Sequence, residues 1–450
     1  MHLTIHNLPT EIVESILVSS LPEVFRPQET HLKLGESFQD FIELKERVRQ
    51  RAPNATYSGN ERLDLMLTCR YWHNILKGSA LFWSFLELDT GKTINLHLMA
   101  NMIQWSGDHP LNLVVTFSKR ISPDGLLVPI CVLIQKTFRR LRSIAILSPD
   151  MDPYAITTAL FPTNCPARLP VLEHLYTFGG RLAFTYAPSA IGSIHAPRLK
   201  SFMIPYFFSF LWMTLHPESL SRIIRLLLNF YPGPTVDAIS LLSQCVNLEA
   251  LGICGGPDYP VFPQGGTHMY DFRFPRLKCL DITLNRHTGD HEIMNKHFYA
   301  PELSTLTLRF EGHCPSVDLS HFFQRHPQIE GLCLCGYTFR FGDITGISPY
   351  LSALKRVIFK RCRESTLCVL AFLSRPQSTH FIAPGLQSFE IDQVRDDILD
   401  AVILDLIKSR IHLGVKFSIR HVHVAALVQN ELERIEKENS GRIELKLFPW

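Results

Sequence analysis

One short phrase, apolar-x-x-apolar-x-apolar, limits what this chain can fold into more than any other feature. It reads Leu248-x-x-Leu251-x-Ile253, Leu277-x-x-Leu280-x-Ile282, Leu303-x-x-Leu306-x-Leu308 and Ile329-x-x-Leu332-x-Leu334. It continues as Leu354-x-x-Val357-x-Phe359 and Leu386-x-x-Phe389-x-Ile391, with first positions 29, 26, 26, 25 and 32 residues apart. Weaker copies precede these at Leu141-x-x-Ile144-x-Ile146, Leu172-x-x-Leu175, Leu199-x-x-Phe202-x-Ile204 and Ile223-x-x-Leu226-x-Leu228. A phrase returning every ~20–30 residues marks stacked units, none of which can bury its apolar face alone. Such a stack presents an extended surface and no obvious pocket for chemistry.

The average step of about 27 residues has room for one strand and one helix per unit. Residues 237–246, 316–326, 364–374 and 394–410 carry apolar residues at helical spacing, and Asp237, Ser316 and Ser365 are of N-cap type. Pro170, Pro197, Pro275, Pro301 and Pro327 precede the phrases, and Ala-Pro-x-Leu recurs at 196–199, 300–303 and 383–386. Proline lacks an N–H, so it suits the start of a strand better than its interior. Asn285 and Cys362 stand three residues after two of the phrases, where a polar side chain can satisfy backbone groups as the chain leaves the strand. Two stretches rich in Gly, Pro and aromatics, 179–197 and 255–274, break the period and are expected as rim loops. Residues 111–117 read as the opening strand, 422–439 as an amphipathic helix and 442–448 as a closing strand. The expected class is α/β: an irregular leucine-rich-repeat solenoid over 91–450, a curved parallel sheet backed by outer helices.

Composition agrees with a folded chain. Apolar residues make up 46% and charged residues 19%, and the net charge of +3 is too small to argue for nucleic acid or a membrane surface. No apolar run approaches the ~18–20 residues of a membrane span. Eleven cysteines, an odd number without framework spacing, suggest reduced thiols. Glu11 and Glu14 interrupt the apolar start, unlike a signal peptide. A cytoplasmic or nuclear location is expected.

The first 90 residues differ in character. Leu8-Pro9 opens a helix whose apolar residues include Ile12, Ile16 and Leu17; a polar stretch follows over about 22–60, and then the Trp-containing segment 61–88. Leu8-Pro9-x-Glu11-Ile12-x-x-x-Ile16, then Cys69-Arg70-x-Trp72-x-x-Ile75, then Leu81-x-Trp83-x-x-Leu86 resembles an F-box, notably those of fungal proteins that carry an insertion after the first helix. The resemblance implies a small all-α module of about three helices over 1–90. It implies that Leu8, Pro9, Ile12 and Ile16 bind the Skp adaptor, and through it a cullin, and that Trp72 and Trp83 pack the helices. Joined to leucine-rich repeats, such a module implies the substrate-recognition subunit of a Skp–cullin–F-box ubiquitin ligase. The alternative is a protein-binding scaffold or inhibitor with no ubiquitin link.

Catalytic patterns are missing: there is no phosphate loop, Gly-x-Ser-x-Gly elbow or His-Glu-x-x-His helix. Cys333-x-Cys335 with Cys362 and Cys368 could ligate zinc, but small strand residues and the repeat's asparagine-equivalent position explain them; His421-x-His423 could offer two ligands, but among 20 histidines such a pair reads as coincidence. Asp396, Asp397, Asp400 and Asp405 read as a solvated helix face. No enzyme activity, metal or cofactor is therefore expected. Strand alternation turns phrase positions three, five and seven away from the core. This assigns to the inner surface His174, Tyr176 and Phe178, then Thr305, Thr307 and Arg309, then Arg356, Ile358 and Lys360, then Ser388, Glu390 and Asp392. Tyr176, Phe178, Arg309, Arg356 and Lys360 are the expected contacts to a target protein, the three cations grouped because like charges on neighbouring strands repel unless an acidic partner binds.

Overall fold

A computed structural model describes residues 9–20, 65–89, 96–117, 127–148, 153–162, 166–179, 193–204, 214–230, 242–255, 272–285, 290–311, 319–336, 347–360, 383–392, 399–423 and 426–448. The chain divides into two compact units, Met1–Asn229 and Phe230–Trp450. The first contains α1 (Thr10–Ser20), α2 (Arg70–Gly78), β1 (Phe85–Asp89), α3 (Leu96–Trp105), β2 (Leu111–Thr116), α4 (Leu127–Lys136) and β3 (Leu141–Ser148). It continues with α5 (Pro153–Leu160), β4 (Ala167–Arg168), β5 (His174–Gly179), β6 (Ile194–His195), β7 (Ser201–Ile204), α6 (Pro217–Leu220) and β8 (Arg225–Phe230). The second unit contains β9 (Ala250–Gly255), β10 (Phe272–Arg273), β11 (Cys279–Asn285), α7 (Asp290–His297), β12 (Phe298–Tyr299), β13 (Thr305–Glu311) and α8 (Ser320–Arg325). It ends with β14 (Gly331–Cys335), β15 (Arg356–Lys360), β16 (Ser388–Asp392), α9 (Leu399–Arg410), β17 (Lys416–His423), α10 (Ala426–Glu438) and β18 (Ile443–Phe448).

In the first unit the strands pair in the order β1-β2-β3-β5-β7-β8, all parallel. In the second the order is β9-β11-β13-β14-β15-β16-β17-β18, again all parallel. The class is α/β with open parallel pairing, and strand order follows chain order, as stacked repeats require. The sheet starts earlier than expected. Residues 111–117 are its second strand, because Phe85–Asp89, placed by the sequence inside the helical module, pairs with it through Leu86↔Leu113.

The repeated phrase works through a turn as well as a strand. In each Ala-Pro-x-Leu the leucine N–H donates back to the alanine carbonyl: Leu199 to Ala196 at 3.0 Å, Leu303 to Ala300 at 3.0 Å, Leu386 to Ala383 at 3.1 Å. Leu172 to Leu169, Leu277 to Phe274 and Ile329 to His326 repeat the pattern with Pro in the same place. Proline thus fills the second position of a β-turn, where its fixed φ helps and its missing N–H costs nothing. The strand begins only after the turn. Before the turn, two-residue strands pair with one another, β4 with β6 and β10 with β12.

Phrase positions one, four and six form the core: Leu303, Leu306 and Leu308 are at most 1% exposed, as are Leu277, Leu280 and Ile282. Helix residues such as Met294, Phe322, Phe323, Ile403 and Leu406 are buried with them. α9, α10 and β18 fall within segments read as helix, helix and strand. Segment 316–326 yields the short α8. The expected helices at 237–246 (apart from its last residues) and 364–374, the polar stretch 22–60 and most of both rim loops lie outside the described residues. Among those residues no helix is long and apolar enough to cross a membrane.

Candidate protein-binding surfaces

Two surfaces stand out, one in each unit. In the first, Val13 of α1 is fully buried, whereas Ile12 and Ile16, one turn apart, are 48% and 46% exposed. Pro9, directly before the helix, is exposed as well. Glu14 accepts a hydrogen bond from Ser79 Oγ, which fixes α1 against the end of α2. The helix therefore turns an apolar strip to solvent while, among its described side chains, Val13 and Glu14 anchor it. Leu8 lies outside the described residues. Cys69 caps α2, its Sγ accepting from Trp72 N–H at 3.5 Å. Trp72 is half-buried. Trp83 is wholly buried; its Nε1 donates to Leu76 O at 2.7 Å, and its ring lies 4.9 Å from that of Trp105.

In the second unit the sheet face opposite the core is accessible over β13–β17, where positions three, five and seven are half-buried or exposed. Strand register lines them into rows. One row runs Thr283–Arg309–Cys335–Lys360–Asp392–Arg420 and another Asp281–Thr307–Cys333–Ile358–Glu390–Ser418. Charges of opposite sign meet diagonally across these rows. Arg309 Nε and Nη2 donate to Asp281 Oδ1 and Oδ2, both at 2.7 Å, and Asp281 is only 3% exposed. Arg356 lies 3.6 Å from Glu390. Arg420 donates to Glu444 at 2.8 Å, and this bond raises the guanidinium's pKa. The three predicted cations do not oppose one another on adjacent strands: Cys335 of β14 separates Arg309 from Lys360. Their mutual repulsion is thus relieved within the fold, and the face is mixed in sign rather than basic.

The aromatic group is differently placed. Tyr176 is half-buried, and burial raises its phenol to about 12 against a hydrogen bond with Ser201. The rings of His174 and Tyr176 stack 6.0 Å apart, and burial drives His174 down to about 4 despite the Glu173 carboxylate beside it. In register with them, Ser201 and Met203 of β7 and Leu227 of β8 are no more than 4% exposed. Both sides of the sheet are largely covered there, as is usual for parallel strands. Phe178 belongs to β5, but its side chain lies outside the described residues.

Of the candidate metal groups, Cys362 and Cys368 lie outside the described residues, and so do the side chains of His421 and His423. One group escaped the sequence reading: His195, His216 and Glu218 bring their donor atoms within 4.8 Å of one another. It has a structural explanation. His216 Nδ1 caps the single turn of α6 by accepting Glu218 N–H at 3.3 Å, and Glu218 pairs with His195 Nε2 at 3.0 Å. The sequence signal was His-Pro-Glu, a cap followed by proline and an acidic first turn. No protein-family model matches the chain, and no curated protein matches it.

Proposed function

We propose that this protein is the substrate-recognition subunit of a Skp–cullin–F-box ubiquitin ligase, with an F-box at its N-terminal end and leucine-rich repeats that capture a target protein. The observation that carries the reading is the solvent-facing apolar strip of Pro9, Ile12 and Ile16 on a helix held by Val13 and Glu14. A helix with one stripe buried and a second stripe of isoleucines in water is suited to a partner that covers the second. The residues in that strip are those by which the segment resembles an F-box. The mixed-charge sheet face over β13–β17 supports a protein ligand, since alternating charges set register and exclude wrong partners.

The subunit itself would carry out no bond-making step. Holding the target beside the conjugating machinery raises the effective concentration of a target lysine, which is how tethering accelerates a transfer. A cytoplasmic or nuclear location follows from this role. The test is retention of the full-length protein by an immobilised Skp adaptor. Wild type is expected to bind, and Ile12→Glu/Ile16→Glu to bind at least tenfold more weakly with an unchanged circular dichroism spectrum. A folded wild type that the adaptor does not retain would leave the ubiquitin-independent scaffold as the better reading.

A further inference from the structure

Cys333 and Cys335 occupy successive non-core positions of β14, with their Sγ atoms 3.7 Å apart. Both are half-buried. Strand register sets Arg309 of β13 beside Cys335 on one side and Lys360 of β15 on the other. Arg309 is held by its two bonds to Asp281. We propose that Cys335 is a reactive thiol, a covalent modification site for small electrophiles of the peroxide class, and that Cys333 resolves the product into an intrastrand disulfide.

The physical case is the charge around sulfur. A thiolate is the nucleophile, and cations and hydrogen-bond donors favour it. The bond from Cys333 lowers the Cys335 pKa most, and Arg309 and Lys360 add to it against burial and Asp281. Cys333 moves the opposite way, well up, so it is the thiol that keeps its proton. Cys131, buried without such neighbours, is pushed up to about 12. The two cations also disfavour a metal ion at the pair, leaving electrophiles as the matching chemistry.

The steps balance. The Cys335 thiolate attacks one oxygen of hydrogen peroxide; an S–O bond forms, the O–O bond breaks, and the departing hydroxide takes a proton to become water. Cys333 sulfur then attacks Cys335 Sγ; the S–S bond forms, the S–O bond breaks, and the released hydroxide takes the Cys333 proton. Two thiols lose two electrons and the peroxide is reduced to two waters. Residues two apart on a strand stand about 6.6 Å apart at Cα, near the upper limit for a disulfide, so closing the 3.7 Å between the sulfurs to an S–S bond requires β14 to bend locally. This proposal rests on the sheet and not on the ligase reading.

The experiment uses the full-length protein and peptide-resolved mass spectrometry. In Cys333→Ser, whose hydroxyl can still donate, alkylation of Cys335 by iodoacetamide is expected to have its pH midpoint below the ~8.5 of a free thiol. Adding Lys360→Met, which leaves the Arg309–Asp281 pair intact, is expected to raise that midpoint and slow alkylation several-fold at pH 7. Hydrogen peroxide should give a Cys333–Cys335 disulfide in wild type and a dimedone-trapped sulfenic acid on Cys335 in Cys333→Ser. A midpoint at or above that of a free thiol, indifference to Lys360→Met, or peroxide-treated folded protein without the disulfide would each overturn the proposal.

Discussion

Gly336 leaves β14 with φ +70, and a Cβ there would stand 2.5 Å from Phe310 O. Its N–H also donates to Lys360 O at 2.9 Å, so the backbone cannot drift away to make room. Gly336→Ala is expected to cost about 1–3 kcal/mol from strain alone, read as a lower midpoint in urea unfolding. Histidines make the second residue-scale case. His326, wholly buried, donates from Nδ1 to Phe322 O at 2.8 Å and accepts Ala300 N–H at Nε2, so only the neutral ring fits, and burial lowers its pKa. His174 is lowered from 6.5 to about 4, also by burial. A base whose folded pKa is depressed binds fewer protons folded than unfolded, so stability rises with pH across the gap between the two values. The melting temperature should therefore fall as pH drops from about 6.5 towards 4. His174→Gln, which does not titrate, should show a shallower fall; an identical profile would remove His174 as a cause.

At the scale of the element, periodicity predicted what depends on periodicity. Strand positions follow the phrase because one, four and six need only face a common core, and all three are buried in the clear repeats. What lies over the opposite face is set by other segments, so alternation alone assigns Tyr176 to an open face although Met203 and Leu227, in register beside it, are buried. Capping across repeats was equally hidden. α8 follows Leu319, which makes no side-chain cap, and Asn295 of α7 serves instead, its Oδ1 accepting Phe322 N–H at 2.9 Å. The Arg309–Asp281 pair joins adjacent strands two positions out of register, a contact visible only once pairing is known. It also decides which substitution tests the surface. Reversing Arg309 to Glu would oppose a buried carboxylate and cost about 3–5 kcal/mol, confusing unfolding with lost binding. Arg356 and Lys360 do not share that buried pair. Arg356→Gln/Lys360→Gln is expected to melt close to wild type, keep the adaptor, and lose several-fold in the proteins that co-purify with it. Unchanged co-purification would take these two cations out of the proposed target-binding surface.

For the molecule as a whole, the most consequential fact is that strand order follows chain order within each unit. The repeat period implied this, because units that cannot bury their own faces must stack on their sequence neighbours. The division into two units was not readable in the same way: it depends on how contacts are distributed, and every phrase looks alike in that respect. A stack of this kind behaves as a sum of unit stabilities and nearest-neighbour interfaces rather than as a single all-or-none body. Leu306, fully buried, sits in register between Leu280 of β11 and Leu332 of β14. Its truncation to alanine removes methyl groups from both interfaces at once and is expected to cost about 2–5 kcal/mol. Because the interfaces that weaken are local, amide exchange measured by mass spectrometry should quicken most in β11, β13 and β14. Protection in β17 and β18, several strands along, should change far less. Equal loss of protection across the eight described strands of the unit's large sheet would instead mean that it opens as one cooperative body, and the nearest-neighbour description would fail.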